Sequence, residues 1–184
     1  MTKSIPLKKF VNHKRTVVDY ALVDDDDFER LHLYSWYKLS NGYAMRSYNE
    51  DGKKIYVLMH RDVLGVVFST DKSIVTDHKN GNRLDNRKNN LRLCTVQQNT
   101  WNSRPLSTKI YSNAKGVTYS KHHKKWKSGI YKNGKYFLIG YFDAEKDAID
   151  ARKKIAKEIR GEYSYECLAC LVDNVLAAKQ EIFI

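Results

Sequence analysis

Asn133-Gly134 stands between two runs in which apolar and polar residues alternate, Trp126 to Lys132 and Tyr136 to Phe142. An Asn-Gly pair readily takes the two positive-φ positions of a type I′ turn, whose twist matches that of antiparallel strands. The pair therefore commits this stretch to a hairpin. A third alternating run, Gly116 to Ser120, precedes it. Ala144, Ala148, Ala151, Ile155, Ala156 and Ile159 then recur near the helical period until Gly161 stops it. The expectation is a three-stranded antiparallel sheet packed on a helix. Alternation sends Val117, Tyr119, Trp126, Ile130, Phe137, Ile139 and Tyr141 towards the helix. It sends Thr118, Ser120, Lys127, Gly129, Tyr131, Tyr136 and Leu138 outward.

Upstream, residues 16–23 are β-branched and aromatic enough for a strand, which ends at Asp24, Asp25, Asp26 and Asp27. The acidic run precedes the apolar-spaced Phe28, Leu31 and Leu33. It reads as a helix N-terminus, where Asp caps backbone donors and favours the positive dipole end, in preference to a metal site. Gly42 to Tyr48 and Lys54 to Leu58 form a hairpin across Asn49-Glu50-Asp51-Gly52. A short helix is expected from about His60 to Phe68, then a brief strand at Ile74-Val75 delivering Asp77 and His78. A polar, turn-rich stretch from Lys79 to Asn90 leads to Leu91–Leu93 and a helical Thr95–Asn102. The chain reads as an α+β protein. Its parts are a β-rich region (residues 1–55), a core (56–102), a linker (103–114), a sheet-helix domain (115–163) and a helical tail (164–184).

Charge narrows the partner. The chain has 33 Lys plus Arg against 21 Asp plus Glu, and apolar residues make up 42 %, enough to fold. From His78 to Phe142 there are 14 Lys/Arg and a single acid, Asp85. Such a run is the footprint of a surface that neutralises phosphates, with a solvated basic face as the alternative. No apolar run approaches the roughly 20 residues that span a bilayer, and Met1 to Phe10 lacks a signal-peptide apolar stretch. A cytoplasmic protein is expected. Cys94, Cys167 and Cys170 are too few for a disulfide scaffold. Cys167 and Cys170 lack the second pair that structural zinc needs, and beside Leu168, Leu171 and Val172 they read as buried thiols.

The most informative stretch is Asp77-His78-Lys79-Asn80-Gly81-Asn82, then Asp85-Asn86, Asn89-Asn90-Leu91-Arg92, Thr95 and Gln97-Gln98-Asn99. With Leu58-Met59-His60-Arg61 before it, this stretch closely resembles the HNH endonucleases of the phage and intron-encoded kind. In that family a two-stranded hairpin and a helix clasp one divalent metal, a ββα-metal core. The resemblance implies that His78 deprotonates the attacking water, since an imidazole is a natural base near neutral pH. It further implies that Asp77 and Asn99 ligate the metal and that Asn90 orients His78 or braces the loop. Many family members have His where Asn99 stands, and an amide oxygen favours Mg²⁺ (or Mn²⁺). Taken singly, these residues also read as a turn with asparagine caps. Arg61 is expected near a phosphate and His60 as a structural histidine. His13, His32, His122 and His123 show no partner pattern.

Residues 112–163 resemble the Apetala-type, ethylene-response-factor DNA-binding domain. The resemblance rests on Lys115-Gly116-Val117, Trp126, Lys135, Ile139-Gly140-Tyr141-Phe142 and the Ala148 to Gly161 helix. That family lays its sheet in the major groove. Here the outward face carries no Arg, the commonest reader of guanine. Lys115, Thr118, Ser120, Lys127, Tyr131, Lys135 and Tyr136 are expected to meet DNA, the lysines holding phosphates with little sequence reading. A plain packing module is the alternative. Together the two resemblances imply a metal-dependent endonuclease that hydrolyses phosphodiester bonds of double-stranded DNA. It would be a phage or homing-type nickase, monomeric on DNA because one site attacks one strand. The rivals are a non-catalytic DNA-binding regulator with a degenerate core, and an RNA-binding protein whose Tyr131 and Tyr136 stack on unpaired bases. Intact Asp77, His78, Asn90 and Asn99 argue against the regulator.

Overall fold

In the computed structural model the chain begins with a long hairpin, β1 (Thr2–Val11) and β2 (Lys14–Asp24), closed at Asn12-His13 with φ of 48° and 61°. The structure describes residues 1–68, 71–103, 112, 114–132 and 134–164. The expected strand at 16–23 is thus one arm of a hairpin whose first arm is irregular in sequence. Pro6 and Lys8-Lys9 interrupt its alternation, and the register shifts between Leu7 and Lys8. Next come α1 (Asp25–Leu31), β3 (Trp36–Lys38), β4 (Ala44–Glu50) and β5 (Lys53–Leu58). The five strands form one sheet in the order β2-β1-β3-β4-β5, with β1 and β3 parallel. Asp51 and Gly52, at φ of 48° and 73°, close the β4–β5 turn, so the expected hairpin is present with a tighter turn.

The acidic run does start a helix, with Asp25, Asp26 and Asp27 in its first turn. Asp24 makes no side-chain cap, however. Its carboxylate instead accepts the Lys88 backbone N–H at 2.7 Å. Leu33 lies beyond the helix and is exposed. The helix expected from His60 to Phe68 is only α2 (Met59–Val63), because Gly65 at φ +69° turns the chain away. Ile5, Leu7, Ala21, Val23, Leu31 and Trp36 are buried with Val57, Met59, Val63 and Leu91 in one core, so residues on both sides of position 55 share it. The Trp36 indole donates to the Leu31 carbonyl at 2.8 Å.

Two further strands, β6 (Ile74–His78) and β7 (Leu91–Thr95), pair antiparallel and lead into α3 (Val96–Asn102). The loop between them docks on the outer edge of β2. Leu22 N–H donates to the Leu84 carbonyl and Asn86 N–H to the Leu22 carbonyl, both at 2.8 Å. Covering an edge strand this way satisfies backbone groups that would otherwise invite foreign strands.

The chain divides into two compact units, Met1–Asn99 and Thr100–Ile184. In the second, β8 (Val117–Ser120), β9 (Lys125–Lys132) and β10 (Lys135–Phe142) form an antiparallel sheet in the order β10-β9-β8. α4 (Glu145–Arg160) follows and ends at Gly161. Val117, Ile130, Ala148 and Ala156 are buried there. The expected three strands and helix are therefore present, in a mixed α+β chain. Asn133 of the turn, most of the 103–114 stretch, and the tail with Cys167 and Cys170 lie outside the described residues.

One expected face is corrected. The register slips between Leu138 and Gly140, leaving Ile139 as an extra residue. Tyr141 thus pairs with Lys127, itself opposite Thr118, on the outward side. A one-residue slip exchanges the faces of every residue beyond it. Phe137 keeps its register opposite Ile130, yet on the edge strand β10 it stays 49 % exposed. Among the described residues no helix is long and apolar enough to cross a membrane.

Gly116 shows where this unit tolerates no side chain. Its φ is +74°, and a Cβ there would stand 2.5 Å from the Gly129 carbonyl oxygen, a backbone atom that cannot swing aside. Gly134, at φ +75°, has nothing within 4 Å of such a Cβ. Gly134→Ala is expected to cost about 1–2 kcal/mol, the left-handed penalty alone. Gly116→Ala should cost on the order of 3 kcal/mol or more because the sheet must also open. Urea unfolding followed by far-ultraviolet circular dichroism would compare them, and equal costs would refute the close approach.

Candidate active site

Asp77 and His78 close β6, where Asp77 faces Arg92 and His78 faces Leu91 across the ladder. Both are buried, at 4 % exposure each. A buried carboxylate needs a counter-charge, and Arg92 supplies it through Nε at 2.9 Å and Nη2 at 2.7 Å, both on Asp77 Oδ2. The His78 ring packs edge-on against His60 at 5.1 Å between centroids, with Tyr43 at 5.8 Å. Its Nε2 donates to Asn86 Oδ1 at 3.1 Å, the arrangement that makes Nδ1 the basic nitrogen. Burial holds the His78 imidazole below its ordinary value, against the Asn86 hydrogen bond and the Asp77 and Asp85 charges that raise it. His60 is lowered further, to about 3, by burial first and then by His78 and Arg61. Two neutral imidazoles therefore share this pocket.

The loop from Lys79 to Asn90 is knotted by its amides. Asn90 Oδ1 accepts the Asn80 N–H at 3.0 Å, and Asn90 Nδ2 donates to the Asp85 carbonyl at 2.7 Å. Lys79 N–H meets the Asn90 carbonyl at 2.8 Å. Asn90 is placed to brace the loop, and Asn86 is the residue on the imidazole. Asp85 is buried within the same loop. Burial pushes its carboxyl up, but the Arg87 hydrogen bonds and charge outweigh this and hold it below the usual range. Asp85 and Asn86 carry no role that the sequence alone assigns, because nothing in the spacing tells which of several asparagines reaches back.

Asn99 rides on α3, one residue after a capping box. Gln98 N–H bonds to Thr95 Oγ1 at 3.2 Å, and Gln98 Oε1 accepts the Thr95 N–H at 2.8 Å. Both expected metal donors border Cys94: the Asp77 charge acts on its thiol, and the Asn99 backbone N–H bonds to it. Burial pushes that thiol up to about 11, so it stays protonated and inert. Among the described residues no group of three or more His, Cys, Asp and Glu could hold a metal. The donor set here is one carboxylate and one amide, hard oxygens suited to a cation that keeps much of its water.

Arg61 sits in the middle of α2, and its Nε and Nη2 bond to the Val66 carbonyl at 3.2 and 3.0 Å. In the second unit Lys115 Nζ is drawn onto the Thr100 carbonyl at 2.8 Å and the Ser103 carbonyl at 3.2 Å. Thr118 stands opposite Lys127 and Tyr131 opposite Tyr136, whose rings lie 5.1 Å apart. Lys127 Nζ sits 4.9 Å over the Tyr136 ring, and Tyr136 covers Gly129, where a Cβ would fall 2.1 Å from the tyrosine hydroxyl. Ser120 is half-buried and Lys135 exposed. Tyr141, brought to this face by the register slip, lies tilted against His123 with 4.2 Å between ring centroids. Neither Tyr141 nor His123 was expected there, since alternation carries no sign of a bulge.

Residues 71–101 match a family model described as HNH endonuclease. The chain is 30 % identical over 145 residues to a protein of Acanthamoeba polyphaga mimivirus described as an uncharacterized HNH endonuclease, covering 79 % of this chain and 73 % of that one. It is 33 % identical over 64 residues to Protein 3.8 of Escherichia phage T7, covering 35 % of this chain and 52 % of that one. No solved structure matches.

The paired imidazoles make stability depend on pH. An unfolded chain protonates both histidines near pH 6.5, while the folded chain holds them neutral. The unfolded state thus binds more protons below that pH. Stability present above pH 6.5 is lost on acidification, for His60 until the pH reaches about 3. His60 should contribute a slope approaching roughly 1.4 kcal/mol per pH unit between its unfolded value and about 3, and His78 adds in the same direction. Unfolding free energies at several pH values and constant ionic strength would measure the slope. His60→Leu should remove one histidine's share, and an unchanged slope would contradict the burial of His60.

Proposed function

The chain belongs to the HNH endonuclease family, and from that premise we propose a metal-dependent enzyme, of phage or homing type, that nicks one strand of double-stranded DNA as a monomer. The observation that carries the reading is His78, buried and neutral beside Asp77, with Nε2 engaged by Asn86. His78 takes the proton of the attacking water at Nδ1. Asn86 fixes the tautomer, Asn90 ties the loop ends, and His60 and Tyr43 limit how far the ring can tilt. Asp77 and Asn99 would hold Mg²⁺ or Mn²⁺, with Arg92 steadying the carboxylate through Oδ2. Such an ion, when bound, supplies a Lewis acid for the phosphoryl and leaving oxygens.

The second unit supplies the grip. Its resemblance to the Apetala-type domain and its row of Thr118, Ser120, Lys127, Tyr131, Lys135 and Tyr136 support a duplex-facing sheet. Tyr141 joins that row. Arg61 and Lys115, whose cationic groups are engaged by carbonyls, take structural roles in this reading.

Supercoiled plasmid incubated with Mg²⁺ or with chelator tests the proposal. Open circles should accumulate only with the metal, ahead of any linear product. His78→Ala should lower cleavage by at least about 10²-fold while DNA affinity changes less than about twofold. Asp77→Ala should raise the metal concentration required, since it removes the anionic donor. Undiminished activity in His78→Ala would sink the mechanism. A two-to-one complex giving linear plasmid directly would overturn the monomeric nickase.

A further inference from the structure

The first unit carries a second surface that the cleavage chemistry does not use. On the side of the five-stranded sheet turned away from Trp36, Ala44 and Val57, Tyr37 stands opposite Met45 and Ser47 opposite Tyr56. Phe10, Arg15, Tyr37, Met45, Lys54 and Tyr56 line a cleft of about 920 Å³ there, and its lining includes no acid. Phe10 and Tyr56 are 64 % and 61 % exposed, a large area of ring left to water. The Arg15 guanidinium lies 5.9 Å from the Phe10 ring and 6.0 Å from the Tyr37 ring, and Lys54 Nζ lies 5.7 Å from the Tyr56 ring. Among the described residues neither cation is paired with a carboxylate.

We propose that this cleft binds an unpaired segment of nucleic-acid strand, its bases stacking on Tyr37, Tyr56 and Phe10 and its phosphates held by Arg15 and Lys54. The inference rests on the chain being a nuclease, not on the roles given to His78 or Asp77. Rings interleaved with unneutralised cations are the chemistry of single-strand sites: every base has a face to stack, and the backbone tracks the positive charge. A duplex hides those faces between neighbouring bases and presents only base edges and phosphates. The cleft belongs to the same unit as His78, so a strand drawn from its complement would be held by the body that cuts.

Photo-crosslinking tests this with the full chain in chelator, so that no cleavage step enters. A single-stranded oligonucleotide carrying 5-iododeoxyuridine is irradiated with the protein, and the modified peptides are mapped by mass spectrometry. Crosslinks should fall on Phe10, Tyr37 or Tyr56 and be competed by unlabelled single strand, with blunt duplex of the same sequence competing far less. Arg15→Ala combined with Tyr56→Ala should lower the yield in the cleft at least about fivefold and leave any yield on Tyr131, Tyr136 or Tyr141 unchanged. Tyr56→Phe, which keeps the ring, should restore it. Crosslinks confined to the second unit, none in the cleft, or equal competition by duplex would each overturn the proposal. Failure here leaves the plasmid assay with Mg²⁺ untouched, so the two readings fall separately.

Discussion

The bond on which the site depends is a backbone bond: Asn86 N–H to the Leu22 carbonyl, paired with Leu22 N–H to the Leu84 carbonyl. It makes the 79–90 loop an extension of the first sheet. An asparagine side chain can hold an imidazole only if its own backbone is immobile, and here that immobility is borrowed from β2. The loop is then closed by Asn90 and by the Asp85–Arg87 pair, whose atoms meet at 2.7 Å. Orientation at His78 is thus assembled from a strand some sixty residues upstream, with Asp24 reaching the Lys88 N–H as a further tie.

Electrostatics serve the same purpose at the other side of the ring. Asp62 on α2 is met by Arg30 of α1 and, at 3.0 Å, by Arg46 of β4. Breaking such a partly buried set would strand a charge in a poor solvent. The set therefore holds α2 in place, and α2 carries His60 to the face of His78. The cluster is costly to disrupt although none of its members touches a reacting atom.

Much of this was legible in the chain. Asn133-Gly134, Asp51-Gly52 and the alternation beside each pair describe hairpins by themselves, because turn chemistry and side-chain period are local. The order of Asp77, His78, Asn90 and Asn99 picked out the ladder, loop and helix that carry them. What escaped was set by contacts distant in sequence. β1 hid behind Pro6 and two lysines, since its pairing with β2 and β3 and not its own pattern makes it a strand. Asn86 could not be told from Asn80, Asn82, Asn89 or Asn90 until the loop was closed. The α2 boundary turned on one glycine.

The extra residue at Ile139 has a consequence for how this sheet can vary. Beyond that point the display of β10 is set by its partner strand and not by counting along its own sequence. Loss of Ile139 would restore plain alternation and still leave Gly140 opposite Ser128, Tyr141 opposite Lys127 and Phe142 opposite Trp126. The hydroxylated ring beside Lys127 would keep its place. This face can therefore absorb a single-codon deletion at the bulge without a change in the chemistry it presents.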